Sequence, residues 1–215
     1  MKSFLLIGMG KFGRQLCKSL AAQGNEIMIA DTSENKMSDL LGMVTSAKIG
    51  DCTKADTLSS FGVEEFDACI VCIFDDFQSS LEVTDLLKTL GAKRILSLAG
   101  TDVHAKFLER CGADEIIFPE RDVAENIAVS ISNDSIFEHF ELSDGYAVYE
   151  IKPMARWHGK SIMQLDVRRR FNISIVAVKR ENGQMYMPTA DYTFNDSEHL
   201  VIIGKDEDVR AVVKD

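Results

Sequence analysis

Short apolar runs alternate with amphipathic stretches along residues 1–118. The apolar runs are continuous or rich in β-branched residues, which is typical of strands covered on both faces of a parallel sheet. Strands and helices that alternate at this spacing predict right-handed β–α–β units and a doubly wound α/β fold. The predicted strands are 4–7, 26–30, 44–49, 67–74, 94–99 and 115–118, and the predicted helices are 12–23, 34–41, 56–61, 78–90, 104–110 and 119–132.

The pattern changes in the second half of the chain. From Phe140 it predicts short strands at 146–151, 173–179, 184–188 and 200–204, with helices at 159–165 and 206–213. The segment Glu181-Asn-Gly183 indicates a hairpin between two of these strands. We therefore predict a domain boundary between residues 134 and 135. Domain 1–134 is the parallel-sheet domain, and domain 135–215 is a smaller α+β domain.

Composition and charge narrow the function classes. The chain has 215 residues, 46% hydrophobic and 27% charged, so it is long enough and apolar enough for a sizeable core. Its net charge of −10 argues against binding nucleic acid, which requires a basic face. No apolar run approaches the ~20 residues that span a bilayer, and the first residues lack a signal-peptide pattern. We expect a soluble, cytoplasmic protein that reaches a membrane only through a partner.

Neither the five cysteines nor the four histidines form a recognisable metal or disulfide pattern. The cysteines are odd in number and scattered. Cys69 and Cys72 form a C-x-x-C inside a predicted buried strand, where a spacing of three places the side chains on opposite faces. We interpret both as core residues, since free cysteine is commonly buried. The histidines are isolated and lack metal-ligand spacing.

The sequence Gly8-Met-Gly-Lys-Phe-Gly13 is a G-x-G-x-x-G motif that follows the first predicted strand and opens a helix. Asp31 follows 18 residues after Gly13, at the end of the second strand. This is the context of a dinucleotide-binding fingerprint in a Rossmann-like fold. The glycines permit a tight turn, close approach of phosphate and close helix–strand packing, and the helix N-terminus favours an anion. Asp31 is suited to accept from ribose hydroxyls and to repel a 2′-phosphate, which disfavours NADP.

Three further residues near the motif have alternative interpretations. Lys11, inside the loop, is placed to neutralise a polyphosphate chain, whereas Arg14 is better interpreted as a solvated surface charge. Asp51 follows the third strand, at the sheet edge beside the expected adenine position. Its carboxylate either accepts from an adenine amino group or caps the next short helix, and the sequence does not favour one of these.

Several segments together resemble a known family. They are Gly8-Met-Gly-Lys-Phe-Gly13 with Asp31, Gly50-Asp51-Cys-Thr-Lys-Ala-Asp56, Cys111-Gly-Ala-Asp-Glu-Ile-Ile-Phe-Pro-Glu120, Gly159-Lys-Ser-Ile-Met-Gln-Leu-Asp166 and Leu200-Val-Ile-Ile-Gly204. In order and spacing they resemble the RCK (regulator of K⁺ conductance, or KTN) domain, followed by the C-terminal domain of the same proteins. The chain is thus similar over nearly its whole length to cytosolic gating subunits of Trk/Ktr-type potassium transporters.

The resemblance implies ATP and ADP, or NAD(H), in the N-terminal cleft. It also implies a homo-oligomer of dimers that assembles into an octameric ring on a membrane-embedded potassium transporter subunit, at the inner face of the membrane. In the Ktr branch an arginine often stands where this chain has Lys11 and contacts the ATP γ-phosphate, so lysine here implies weaker ATP-over-ADP discrimination. The residues expected to bind the nucleotide are Gly8, Met9, Gly10, Lys11, Phe12, Gly13, Asp31, Thr32, Asp51, Cys52 and Phe74.

Two more sites are implied by the resemblance. Glu120 matches a glutamate that helps to hold a divalent or monovalent cation near the phosphates, although an acid in the first turn of a helix has a sufficient structural role. Ile162, Met163 and Arg168 match positions that bind cyclic di-AMP in some relatives. The basic run 168–170 is otherwise typical of a solvated face.

Three other functions compete with gating. A nicotinamide-dependent oxidoreductase, or a stand-alone NAD(H) sensor, is compatible with the glycine motif. An oxidoreductase also needs an acid/base group, and no tyrosine here has a lysine four positions later. A ligand-sensing transcription factor requires a basic recognition helix, which the sequence lacks. We therefore expect a regulatory nucleotide-binding subunit and not an enzyme.

Overall fold

A computed structural model describes residues 1–214 of the chain. The chain folds into two compact units, one from Met1 to Glu120 and one that begins at Arg121. The first unit contains a six-stranded parallel sheet in the order β3-β2-β1-β4-β5-β6. The strands are β1 Ser3–Ile7, β2 Glu26–Asp31, β3 Ser46–Ile49, β4 Ala68–Val71, β5 Ile95–Leu98 and β6 Glu115–Ile117. This confirms the predicted doubly wound fold.

Helices connect these strands in the first unit. They are α1 Lys11–Ala22, α2 Ala55–Ser59, α3 Phe77–Thr89 and α4 Asp102–Arg110, and α5 Pro119–Ile131 follows the last strand. The order of the strands reverses between β1 and β4, which lie side by side in the sheet. In sheets of this kind, ligands bind outside the carboxyl ends of the strands at the point of reversal.

The sheet of the first unit is covered on both faces. One core cluster includes Leu5, Val71 and Cys69, and the other includes Leu6, Ile70 and Cys72. The two cysteines therefore lie on opposite faces, as predicted, and both are free thiols. Burial raises the pKa of each thiol to about 12. Both remain protonated and unreactive at neutral pH, as expected of core residues.

The second unit contains a five-stranded antiparallel sheet in the order β10-β9-β11-β8-β7. Its strands are β7 Ile136–Ser143, β8 Tyr146–Ile151, β9 Ser174–Lys179, β10 Met185–Tyr186 and β11 His199–Lys205, and its short helices are α6 Ile162–Leu165, α7 Val167–Phe171 and α8 Asp206–Lys214. The predicted hairpin forms between β9 and β10, where Gly183 N donates to Arg180 O. The core includes Trp157, Tyr149 and Phe194.

The prediction of a helix at 34–41 is wrong. Only Glu34–Lys36 form a helical turn, of the 3-10 type. The chain then continues as successive β-turns, because Leu40 N donates to Met37 O and Met43 N donates to Leu40 O. Met37 and Leu40 are buried at a spacing of three, which suits a series of such turns as well as an α-helix.

Two other differences concern the start of the second unit. Strand β7 begins at Ile136, whereas the sequence predicted strands only from Phe140. Most of its side chains are exposed, which explains the weak apolar signal. The first compact unit also ends at Glu120, 14 residues before the predicted boundary, because Val129 of α5 packs against the core of the second unit. None of the helices within residues 1–214 is long and apolar enough to cross a membrane.

Candidate functional site

A cleft of about 710 Å³ lies at the carboxyl ends of β1, β2 and β4 in the first unit. Its walls come from the loop after β1, the end of β2, the segment after β3, the loop after β4 and the start of α5. This is the position that the reversal in strand order predicts for a ligand. The volume is in the range of clefts that hold cofactors.

The glycine motif forms the loop between β1 and α1. Gly8 has a φ of +94°, a conformation that favours glycine. A Cβ on Gly13 would lie 2.2 Å from the carbonyl oxygen of Gly8, so glycine at position 13 allows the helix to approach the loop. Gly10 is the N-cap of α1 and supplies no side-chain cap. No atom lies within 4 Å of a Cβ built on Gly10, which therefore leaves open space in front of the helix N-terminus.

Asp31 connects the end of β2 to the glycine loop. The backbone N–H of Met9 donates to its Oδ2 at 2.7 Å, and the N–H of Ser33 donates to Oδ1 at 2.9 Å. The residue is 6% exposed and lines the cleft. Each carboxylate oxygen has two acceptor sites, so both can still accept from a ligand. Asp31 thus stabilises the loop in addition to facing the cleft.

Three cations surround the loop, and their contacts differ. Lys11, the first residue of α1, is exposed and lines the cleft. Arg14 Nη2 lies 2.6 Å from Asp39, and its Nη1 donates to Lys36 O, so Arg14 holds the turns after β2. Lys36 Nζ lies 3.7 Å from Asp31 Oδ1 and also lines the cleft. Lys11 and Lys36 are thus the two of these cations that a ligand in the cleft can contact.

Asp51 does not cap the following helix. The N-cap of α2 is Lys54, and the Asp51 carboxylate accepts instead from the backbone N–H and the hydroxyl of Thr53. These hydrogen bonds lower the pKa of Asp51 and keep it ionised. Asp51 is exposed at the wall of the cleft, beside the buried thiol of Cys52. The structure thus excludes the interpretation of Asp51 as a helix cap, and contact with an adenine amino group remains.

The loop after β4 forms a further wall of the cleft. Phe74, Asp75 and Asp76 line the cleft, followed by Ser79. Asp76 is the N-cap of α3, and its carboxylate accepts from the backbone N–H and the hydroxyl of Ser79. Of this wall, only Phe74 was predicted from the sequence. The pattern Asp-x-x-Ser at a predicted helix start, directly after a buried strand, was the available signal.

The structure brings most of the predicted nucleotide-binding residues to one cleft. Those that line it are Gly8, Gly10, Lys11, Phe12, Asp31, Thr32, Asp51, Cys52 and Phe74. Glu120, predicted as a cation ligand, lines the same cleft. Met9 and Gly13 do not line it, because the Met9 side chain is buried in the core and Gly13 lies behind the loop. Residues of the lining that were not predicted from the sequence include Lys36, Thr53, Asp75, Asp76 and Ser79. Within residues 1–214, no three His, Cys, Asp or Glu side chains form a group that could hold a metal ion.

The predicted second-ligand residues lie in the second unit. Ile162 packs against the core, whereas Met163 is 68% exposed. Arg168 is exposed, and its Nε donates to the hydroxyl of Ser174. Its neighbour Arg169 lies 3.9 Å from Asp166. The three predicted residues are thus on or near helices α6 and α7, and the basic run makes local surface contacts.

Comparison with known proteins identifies the family. The TrkA-N domain model matches residues 4–119, and the TrkA-C domain model matches residues 146–215. The chain belongs to the TrkA/Ktr family of potassium uptake proteins. It is 36% identical to Ktr system potassium uptake protein C of Bacillus subtilis, over 99% of this chain and 96% of that protein. It is 26% identical to Ktr system potassium uptake protein A of Vibrio alginolyticus, over 99% and 97%.

Solved structures support the fold of this TrkA/Ktr family member. The GsuK channel matches with a TM-score of 0.71 at 17% identity, over 98% of this chain and 38% of that chain. The GsuK channel bound to NAD matches with a TM-score of 0.69, again over 98% and 38%. The chain thus spans less than half of the GsuK chain, and the likeness concerns the RCK fold.

Proposed function

We propose that this chain is the cytoplasmic regulatory subunit of a potassium uptake system, and that it binds an adenine nucleotide in the cleft of its first unit. The observation that carries the proposal is the arrangement at Gly10, where the loop after β1 meets the N-terminus of α1. An uncapped helix N-terminus, with no acid in its first turn, faces open space beside the carboxylate of Asp31. Free N–H groups at a helix start favour phosphate, and a carboxylate at the end of β2 favours ribose hydroxyls.

The lining supports ATP, ADP or NAD(H) as the ligand. Lys11 supplies a flexible cation at the phosphate loop, and Phe74 and Cys52 supply apolar surface. Neighbours of known structure include GsuK forms described as bound to NAD and to ADP. Glu120, Asp75 and Asp76 line the same cleft. Within residues 1–214 they do not form a complete metal site, so a cation at the phosphates would take some of its ligands from the nucleotide.

Gating follows from differential affinity. A nucleotide shifts an equilibrium between two subunit arrangements only if it binds one of them more tightly. We propose that the chain forms dimers that assemble into an octameric ring on a membrane potassium transporter subunit, which then responds to occupancy of the cleft. Relatives over the whole chain are potassium uptake proteins, which supports a partner of this kind. For the second unit, cyclic di-AMP at Ile162, Met163 and Arg168 stays a proposal.

Calorimetric titration tests the binding proposal. We expect ATP, ADP or NAD⁺ to bind the folded protein at one site per chain. Light scattering on the same sample tests the oligomer, for which we expect an assembly larger than a dimer. Potassium uptake by cells that contain a Ktr membrane subunit, with and without this chain, tests gating. A folded protein that binds none of the three nucleotides contradicts the proposal, and a monomer across micromolar concentrations contradicts the ring.

A further inference from the structure

A buried histidine lies between α3 and α4, and nucleotide binding as proposed above does not involve it. His104, in the first turn of α4, is 4% exposed. Its Nε2 lies 2.6 Å from the hydroxyl oxygen of Ser80. Its ring lies 4.9 Å, between centroids, from the ring of Phe77. Its backbone N–H donates to the hydroxyl of Thr101, the N-cap of the helix.

Hydroxyl groups extend this contact to the sheet. The Ser80 hydroxyl is also 2.9 Å from Phe77 O. Thr84 Oγ1 donates to Ser80 O at 2.7 Å and lies 2.9 Å from the hydroxyl of Ser97 on β5. Ser80, Thr84 and Ser97 are completely buried. A buried polar network therefore joins α3, α4 and β5, and His104 is its member from α4.

The same network supports one wall of the cleft. The wall is formed by the segment 74–79, which runs from the loop after β4 into the first turn of α3. Phe74, Asp75, Asp76 and Ser79 of this segment line the cleft, whereas Phe77 does not. Phe77 within it packs on the imidazole of His104. The ring of Phe74 lies against Gly100, where an added Cβ would come within 3.3 Å of the ring. Gly100 precedes Thr101, so the wall rests at two points on the start of α4.

Protonation of His104 would place a charge in this contact. The groups that face the ring are the Ser80 hydroxyl and the Phe77 ring, and neither carries a negative charge. The carboxylates of α3, α4 and their caps are all exposed. They are Asp76, Glu82, Asp85, Asp102 and Glu109. Burial lowers the pKa of His104, and no charged group is among the causes of that shift. A buried imidazolium without a counter-charge is unfavourable, so acid weakens the packing of α3 on α4.

We propose that His104 is a positioning residue for the nucleotide cleft, and that its protonation loosens the wall formed by residues 74–79 and lowers nucleotide affinity. The proposal rests on the proposed function, because it requires a nucleotide in that cleft. Reciprocity adds a second consequence. If protonation weakens binding, a bound nucleotide must make His104 harder to protonate by the same factor.

Affinity measured against pH tests the proposal on the full chain. ATP, ADP and NAD⁺ are first titrated at about pH 8, and the tightest binder is then titrated down to about pH 5.5. His104→Gln keeps a side chain that can hydrogen-bond to Ser80 but does not titrate. As the pH falls, we expect wild type to lose affinity more steeply than His104→Gln. The extra loss is about tenfold for each unit by which bound nucleotide lowers the pKa of His104. His139→Gln, in the second unit, serves as the control and should follow wild type. Parallel curves for wild type and His104→Gln overturn the proposal.

A second measurement needs no variant. Imidazole resonances of the wild-type protein give the pKa of His104 by NMR, with and without saturating nucleotide. We expect a lower pKa in the saturated protein. An unchanged pKa with nucleotide bound overturns the role of His104 and leaves the proposed function intact. Absence of binding by wild type at pH 8 overturns the proposed function itself, so the two failures are distinguishable.

Discussion

Replacing Gly10 by alanine isolates the role of the phosphate loop. Gly10 has φ −68° and ψ −173°, which alanine adopts without strain. Apart from Gly10 and its chain neighbours, no atom lies within 4 Å of the added Cβ. The substitution should therefore preserve the fold, at a cost of about 1 kcal/mol or less for a poorer N-cap residue. Gly10 lines the cleft as the N-cap of α1, so the methyl group is added at the proposed phosphate position.

The magnitude follows from the hydrogen bonds that the methyl group prevents. A phosphate at this helix start accepts from backbone N–H groups of the first turn. Hydrogen bonds to a charged group contribute about 1.5–3 kcal/mol each. Losing one of them lowers affinity about 10-fold to 150-fold, and losing two lowers it by about 150-fold or more. Adenosine, which has no phosphate, should lose much less.

Calorimetry with ADP and adenosine, on wild type and variant, measures both effects. Gly42→Ala is the matched control, since a Cβ there also meets no atom within 4 Å and Gly42 does not line the cleft. The control should bind as wild type does. Unchanged ADP affinity in a folded Gly10→Ala protein would refute the assignment of the loop as the phosphate site. Equal losses for ADP and adenosine would show that the methyl group disturbs the cleft in general.

Three other substitutions have distinct expected outcomes. Gly13→Ala should lower the free energy of unfolding by about 3 kcal/mol, because its Cβ would lie 2.2 Å from a backbone oxygen, and a wild-type melting temperature would contradict this packing. Asp31→Ala should reduce affinity for ribose-containing ligands by about 1–3 kcal/mol and also lower the melting temperature, because the N–H of Met9 loses its acceptor. Calorimetry and thermal unfolding check both losses, and an unaltered melting temperature would argue against the loop contact. Lys11→Ala should weaken ATP a few-fold more than ADP, since the side chain is exposed and screened. Competitive titration measures this, and equal losses would mean that Lys11 does not contact the terminal phosphate.

The parallel sheet could be predicted from sequence because its strands are buried on both faces and read as apolar runs. β7 could not, since only Ile136 of its eight residues is buried and six of the others are exposed. The turns after β2 were mistaken for a helix because Met37 and Leu40 have a spacing that helices and successive turns share. Hydrogen-bond partners, and not the apolar pattern, decide between those two structures.

The candidate site was predictable where a backbone requirement selects a residue type. Gly8 and Gly13 stand where a positive φ and a close contact require glycine. The contribution of Lys36 depends on how loops from separate strands converge, and Lys36 belongs to no motif. The alternative roles of Asp51 also needed the three-dimensional structure, because a carboxylate before a short helix is compatible with a cap until the N-cap is located at Lys54.

The hydrogen bond from Met9 N–H to Asp31 has a consequence for how glycine-loop sequences are compared across genomes. The carboxylate supports the loop in the absence of any ligand, so natural selection can retain it for folding alone. A descendant that had lost its nucleotide would still gain stability from the acid and the glycines. Surveys that infer nucleotide use from this pair of features therefore count such descendants as binders. Gly10 lines the cleft, and a Cβ there would meet no packed neighbour, so the fold does not require glycine at this position and Gly10 is the better character for tracing ligand use through evolution.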